Sequence, residues 1–126
     1  MTRKNQPHEV TSHHDGHGLT EQITVMAMDE RGPGGAHHEY HFYNGDEEVG
    51  YLQFQKGPRN EPGSVPGVLT VAVLAALVDI QQDFDRGPYP SELGRQAGEK
   101  MKSAMKLLKR RADERAERGV LGVNAK

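Results

Sequence analysis

The chain contains no cysteine and no tryptophan, and only 6% of its 126 residues are aromatic. Without cysteine there can be no disulfide framework, no thiol chemistry and no cysteine-ligated metal. Hydrophobic residues make up 34% and mean hydropathy is −0.79, so the expected core is thin and part of the chain is expected to lack fixed structure. Long apolar runs are missing too. The longest, Val71 to Val78, is far too short to span a bilayer, and the first residues lack the apolar segment of a secretory leader. A reducing compartment, the cytoplasm, is the expectation. No paired carboxylates, Ser/His/Asp set or phosphate loop can be found, so no catalytic apparatus and no cofactor are expected.

What the chain does have is an uneven distribution of charge. The formal net charge is only −2, which argues against a bulk polycation seeking nucleic acid. Yet eight of the sixteen basic residues lie between Lys100 and Arg118, while Asp46, Glu47 and Glu48 form an acidic patch. A local cationic face on a near-neutral protein favours a specific small anion over a long polyanion.

Patterning divides the chain into a tail, strands and helices. Residues 1–18 are polar, rich in His and Gly and without apolar period, and are expected to be a disordered tail. From Leu19 to Met28 the apolar residues Leu19, Ile23, Val25 and Ala27 share one parity, which predicts a half-buried strand. Two more strands are expected at about His37–Tyr43 and Val49–Gln55, with Asn44-Gly45 as a hairpin signal. Gly57 to Gly67 is too rich in Pro and Gly for regular structure. Val68 to Phe84 reads as a helix apolar almost all round. Ser91 begins a second helix as its cap, and Gly119 ends it. The expected fold class is α+β: a small antiparallel N-terminal sheet followed by a long two-helix hairpin. One domain is expected over 19–122, with a short C-terminal tail at 123–126. A helix over 91–118 would be about 40 Å long, longer than so small a domain is wide. That length, with an all-round apolar partner helix, predicts that the hairpin mediates homo-oligomerisation, most simply as a two-fold dimer.

The second helix carries an apolar stripe at Leu93, Ala97, Met101, Ala104, Leu107 and Leu108. At about 100° per residue, Arg111, Arg115 and Arg118 fall on that same stripe. Basic residues in a last turn ordinarily complement the helix dipole, and their long side chains can reach water. Cations pointed where apolar residues point are also what an enclosed anion would require.

Histidine forms two similar runs, His13-His14-x-x-His17 and His37-His38-x-x-His41, with Glu39 on the strand face of His37 and His41. Such a set can ligate a metal, but a strand trio is more often surface polarity, and no metal is expected. The spread of Lys100, Lys102, Lys106, Lys109 and Arg110 around the second helix has solvation as its ordinary explanation, with a nucleic-acid surface as the competing one.

Several segments taken in order resemble a known family. Gly32-Pro-Gly-Gly-Ala-His-His38 with Tyr40, Phe54-Gln-Lys-Gly-Pro58, Glu61-Pro-Gly63, Gly67, Asp79 to Phe84, Gly87-Pro-Tyr89 and Arg115-Ala-Glu-Arg-Gly-Val-Leu-Gly122 resemble the Thoeris anti-defence proteins of the first kind over roughly residues 22–122. These are phage-encoded sponges for a cyclic ADP-ribose signal. The resemblance implies a dimeric, in some members hexameric, protein that binds glycocyclic ADP-ribose without cleaving it and so silences Thoeris immunity. It implies that Phe84 stacks on the adenine and that Arg111 and Arg115 engage the pyrophosphate, with Arg59 and Arg95 as further ligand-binding candidates. An aromatic face and guanidinium forks suit those partners. Where the family commonly has Arg-Glu-Asn at the start of its second helix, this chain has Glu92, Leu93 and Gly94. A sponge for cyclic di- or trinucleotides, of the anti-CBASS kind, is the alternative.

Overall fold

The computed structural model describes residues 7–16, 18, 20–57 and 61–119. The chain divides into two compact units, residues 1–67 and 68–126. The break falls at the end of the Pro/Gly-rich stretch. The first unit is a four-stranded antiparallel sheet, and the second is a helical hairpin, so the α+β class expected from patterning is the one found.

The sheet runs in chain order, β1 (His8–Val10), β2 (Ile23–Ala27), β3 (Glu39–Asn44) and β4 (Glu47–Gln53), each antiparallel to the next. The strand β1 corrects the expectation of an unstructured tail over 1–18. Three residues with one apolar side chain carry no visible period, yet they pair His8 with Ala27 and Val10 with Val25 along the free edge of β2. His13 ties the following segment down, its Nε2 donating to the Ile23 carbonyl at 2.7 Å. Leu19, His17 and the tail at 123–126 lie outside the described residues, and a 3-10 turn at Thr20–Gln22 takes up part of the strand expected from 19.

Alternation sorts the sheet's side chains onto two faces. Val10, Val25, Ala27, Tyr40, Phe42 and Leu52 share one, with Tyr40 edge-on to Phe54 at 5.7 Å. Ala27 is fully buried. Glu39, His41, Tyr43 and Tyr51 share the other. Gly45-Asp46 closes β3 to β4, with Gly45 at φ +63, as a glycine-first two-residue hairpin turn requires. Beyond β4, Lys56 and Val65 exchange backbone hydrogen bonds (2.9 and 2.7 Å) that fold the Pro/Gly stretch back on itself. Gly67 then passes so close to the chain that an added Cβ would lie 2.5 Å from the Gln53 carbonyl oxygen.

In the hairpin, α1 spans Thr70–Arg86 and α2 spans Glu92–Glu117. Ser91 caps α2 as expected, its hydroxyl accepting from the Gly94 N–H at 2.9 Å. Arg118 is the C-cap and Gly119, at φ +73, turns the chain away. The packed rows follow a 3–4 spacing: Val71, Leu74, Val78, Gln81 and Asp85 on α1, and Gly94, Gly98, Met101, Met105, Leu108 and Ala112 on α2. That row shares Met101 and Leu108 with the expected α2 stripe and departs from it at Leu93, Ala97 and Leu107. Leu93, Ala97 and Leu107 are exposed, because the helices approach through the two glycines. Gly98 is buried against Gln81, where an added Cβ would stand 3.3 Å from the Gln81 Cγ. Among α1's many apolar residues only Val78 is buried.

Gly67→Ala is expected to destabilise the sheet unit by about 1–3 kcal/mol, since the methyl can fit only if backbone moves. Gly34→Ala, where an added Cβ meets nothing within 4 Å, is expected to leave the denaturation midpoint unchanged or slightly raised. Equal midpoints for the two variants would remove the close-approach argument.

Candidate functional site

The rotation of the helices decides which side chains the hairpin offers. On each helix the residues one position before the packed row lie on the same side of the hairpin, because the helices are antiparallel. On α1 these are Val73, Leu77, Ile80 and Phe84; on α2 they are Leu93, Ala97, Ala104, Leu107 and Arg111, interrupted by Lys100. Leu77, Ile80, Phe84, Leu93 and Leu107 are all exposed, Leu93 by 79%. The row after the packed one starts with Ala72 and Ala75 on α1 and is otherwise polar: Asp79, Gln82 and Arg86 on α1, and Arg95, Glu99, Lys102, Lys106 and Lys109 on α2. The hairpin is therefore a two-helix layer with one apolar and one charged face.

The candidate ligand-binding residues fall at three places. Phe84, 59% exposed, stands in the last turn of α1 on the apolar face. Arg95 is in the first turn of α2, close to that end, and pairs with Glu92. Arg111 is exposed and continues the apolar row, whereas Arg115 is half-buried and extends the packed row beyond Ala112. Arg59 lies outside the described residues.

These groups do not form one site within a single chain. Asp85 lies against Gly94, so Phe84 is level with the start of α2. From residue 94 to Arg111 is about 25 Å along the helix axis. Arg111 cannot lie beneath a base stacked on Phe84 of the same copy. Arg111 belongs to the exposed apolar row, Arg115 to the packed row and Arg118 to the cap. Gly94 is also explained: an added Cβ would meet the Gln81 Nε2 at 2.7 Å, an amide that donates to Asp85 at 3.0 Å. Gln81, not a residue of α2, fills that corner.

The His37 and His41 rings of the sheet unit are held by local partners. The Asp29 carboxylate accepts the backbone N–H groups of His38 and Glu39 (3.1 Å each), and the Asp29 carbonyl accepts from His37 Nδ1 at 2.7 Å. Lys56 Nζ stands 3.8 Å away. Burial pushes the Asp29 pKa upward, but those N–H donors and Lys56 outweigh it and hold the carboxyl below its usual range. Burial holds His38 below the usual imidazole range despite Asp29, and its Nδ1 is the one buried side-chain polar atom without a partner among the described residues. His41 has the opposite surroundings. Its Nδ1 meets Glu48 at 2.9 Å and its Nε2 faces Glu39 at 3.5 Å, and the Glu48 bond first, then Glu39, raise its pKa against partial desolvation. Glu48 reaches it only because the ladder shifts at Val49. The bulge there brings Glu48 to the same face as Tyr51. No group of three His, Asp or Glu among the described residues is placed to hold a metal ion.

The fold and these faces define an α+β protein with an uncovered amphipathic helical hairpin. No helix among the described residues is long and apolar enough to cross a membrane. No family model matches the chain, and no curated protein is detectably similar to it in sequence.

Because the His41 pKa is raised in the fold, its contribution is fully present below the unfolded value of about 6.5 and is lost as pH rises through the folded pKa. Denaturation midpoints at several pH values between about 5.5 and 8.5 should therefore show a decline that His41→Gln lacks. Parallel pH profiles for the two proteins would refute the assignment.

Proposed function

We propose that the protein is a phage anti-defence sponge. In this reading it sequesters glycocyclic ADP-ribose in the cytoplasm of a bacterial host without cleaving it, and so inhibits Thoeris immunity. The observation that carries this reading is the single uncovered apolar hairpin face, with exposed Phe84 at one end and exposed Arg111 at the other. Two such faces pair most simply about a two-fold axis, with the hairpins antiparallel. The Phe84 and Arg95 end of one copy then meets the Arg111 and Arg115 end of the other. Each dimer gains two equivalent enclosed pockets, each with a stacking ring from one protomer and guanidinium groups from its partner. Such a pocket suits a ligand with a planar base and a pyrophosphate, because stacking and bidentate phosphate pairing use different walls. Exclusion of water by the apolar rows favours tight, reversible retention, and no catalytic group is needed.

The direct experiment is to incubate the purified protein with glycocyclic ADP-ribose or with a cyclic trinucleotide, remove free ligand, denature by heat and identify what is released by mass spectrometry. Intact glycocyclic ADP-ribose is expected. Linear products would indicate an enzyme, release of the trinucleotide alone would favour the anti-CBASS alternative, and no retained ligand would reject both. A complementation test probes the shared pocket. Phe84→Ala and Arg111→Ala are each expected to abolish retention. If subunits of the two variants are exchanged at random, half the dimers are mixed and each mixed dimer has one intact pocket, so about a quarter of wild-type capacity should return. If none returns, the pocket is not built across a dimer.

A further inference from the structure

Charge is divided between the two units. Residues 1–67 carry ten acidic and five basic residues, and residues 68–126 carry eight acidic and eleven basic ones. The units are thus −5 and +3, consistent with the chain's −2. A protein this close to neutral has no need of such separation for solubility, and opposite fields on one chain favour ordered self-contact.

The negative field has a built surface. On one face of the β3–β4 ribbon the His41 ring lies between Tyr51 (centroids 4.7 Å apart) and Tyr43 (6.3 Å), with Glu39 and Glu48 at its two nitrogens. One imidazolium offsets only one of those carboxylates, and Asp46 and Glu47 add two more charges at the adjoining turn. Tyr51 remains 48% exposed and Val49 53% exposed. The bulge at Val49 is what turns Glu48 onto this face, and bulges commonly re-aim a side chain where a surface has a use. Tyrosine rings edged by carboxylates are suited to ammonium and guanidinium groups, through ring faces and ion pairs together.

The positive field has a surface of matching length. Lys102, Lys106 and Lys109 form a row along the charged face of the hairpin, spanning about 10 Å, with Arg110 beside them. From Glu39 to Tyr43 the acidic face runs about 13 Å. Lys106, Lys109 and Arg110 are exposed and make no ion pair among the described residues. This row lies on the side of the hairpin opposite the apolar face, so both can be covered at once.

We propose that the acidic, tyrosine-lined face of β3–β4 docks on the lysine row of α2 of a second copy. This interface is separate from the apolar hairpin face and does not depend on any ligand. It links hairpin-paired units into larger assemblies. Because exposed ion pairs are individually weak and screened, the contact is salt-labile, whereas the apolar pairing is not.

The test measures the mass of the full chain by light scattering at about 0.05 M and about 1 M salt, where the screening length falls to about 3 Å. Wild type should show a larger assembly at low salt and collapse to the hairpin-paired mass at high salt. Glu39→Lys with Glu48→Lys should hold the smaller mass at both salts, as should Lys106→Glu with Lys109→Glu and Arg110→Glu. Mixing these two charge-reversed proteins in equal amounts should restore the larger assembly, since each reversed surface then faces its complement. As reversal at Glu48 disturbs the His41 contact, Glu47→Lys with Tyr51→Ala serves as a second sheet variant and should also stay small. A wild-type mass independent of salt, variants that assemble like wild type, or a mixture that stays small would each overturn the proposal.

Discussion

The close approach of α1 and α2 through Gly94 and Gly98 is the constraint on which the hairpin's whole outer surface depends. Two glycines one turn apart let Gln81 settle against the α2 backbone, where an added Cβ would stand 2.7 Å from its Nε2 at Gly94 and 3.3 Å from its Cγ at Gly98. A glycine inside a helix is unfavourable by about 1 kcal/mol relative to alanine, so such a pair is tolerated only where packing returns more. Once that contact is made, each helix has its rotation set. Leu77, Ile80, Phe84, Leu93 and Leu107 then have no place in the seam between the two helices, and all five are exposed. The apolar face is thus a consequence of the packed row beside it.

In the sheet unit the corresponding constraint is Asp29. Its carboxylate gathers the N–H groups of His38 and Glu39 while Lys56 approaches from beyond β4, so one anion joins the end of β2, the start of β3 and the return of β4. The partly buried acid is compensated by donors and a cation, as an ionised group away from water must be. This fixes the ends of the ribbon, and the shift at Val49 adjusts its middle, so His41 meets carboxylates from two strands.

Patterning was sufficient for the strands with clear alternation and for both helices, because Ile23, Val25 and Ala27, the Ser91 cap and Gly119 are signals carried by single residues or a short period. It was insufficient for β1, whose edge pairing depends on backbone hydrogen bonds available to almost any three residues. In α2 the pattern marks Met101 and Leu108 of the packed row but misses Gly94 and Gly98. Hydrophobicity marks residues that leave water, whereas the closest helix contact selects for small ones, so Leu93 and Ala97 drew the stripe away from Gly94 and Gly98. The arginines were conspicuous for a sound reason, since Arg111 does continue an apolar row. Their separation from Phe84 was not readable, because it depends on the helices being abreast at the Gly87–Ser91 turn and on α2 extending well past the start of α1.

Only Ala27 and Val78 are buried hydrophobic residues among those described, which leaves little apolar burial to offset the ordering of so many backbone and side-chain groups. A two-helix hairpin with one closely packed row is marginal by itself, since most helical stability comes from tertiary packing of the apolar face. The rows at Leu77, Ile80, Leu93 and Leu107 supply that packing only when something covers them. Covering them with the same face of a second copy requires an antiparallel arrangement, and the geometry that completes the fold is then the one that carries Phe84 to Arg111. In this view folding, association and ligand enclosure are linked equilibria, and a ligand held in the shared pocket stabilises the pair by mass action. In the proposed pairing, the final turns of the long second helix, beyond the reach of α1, are the part that extends to the other protomer.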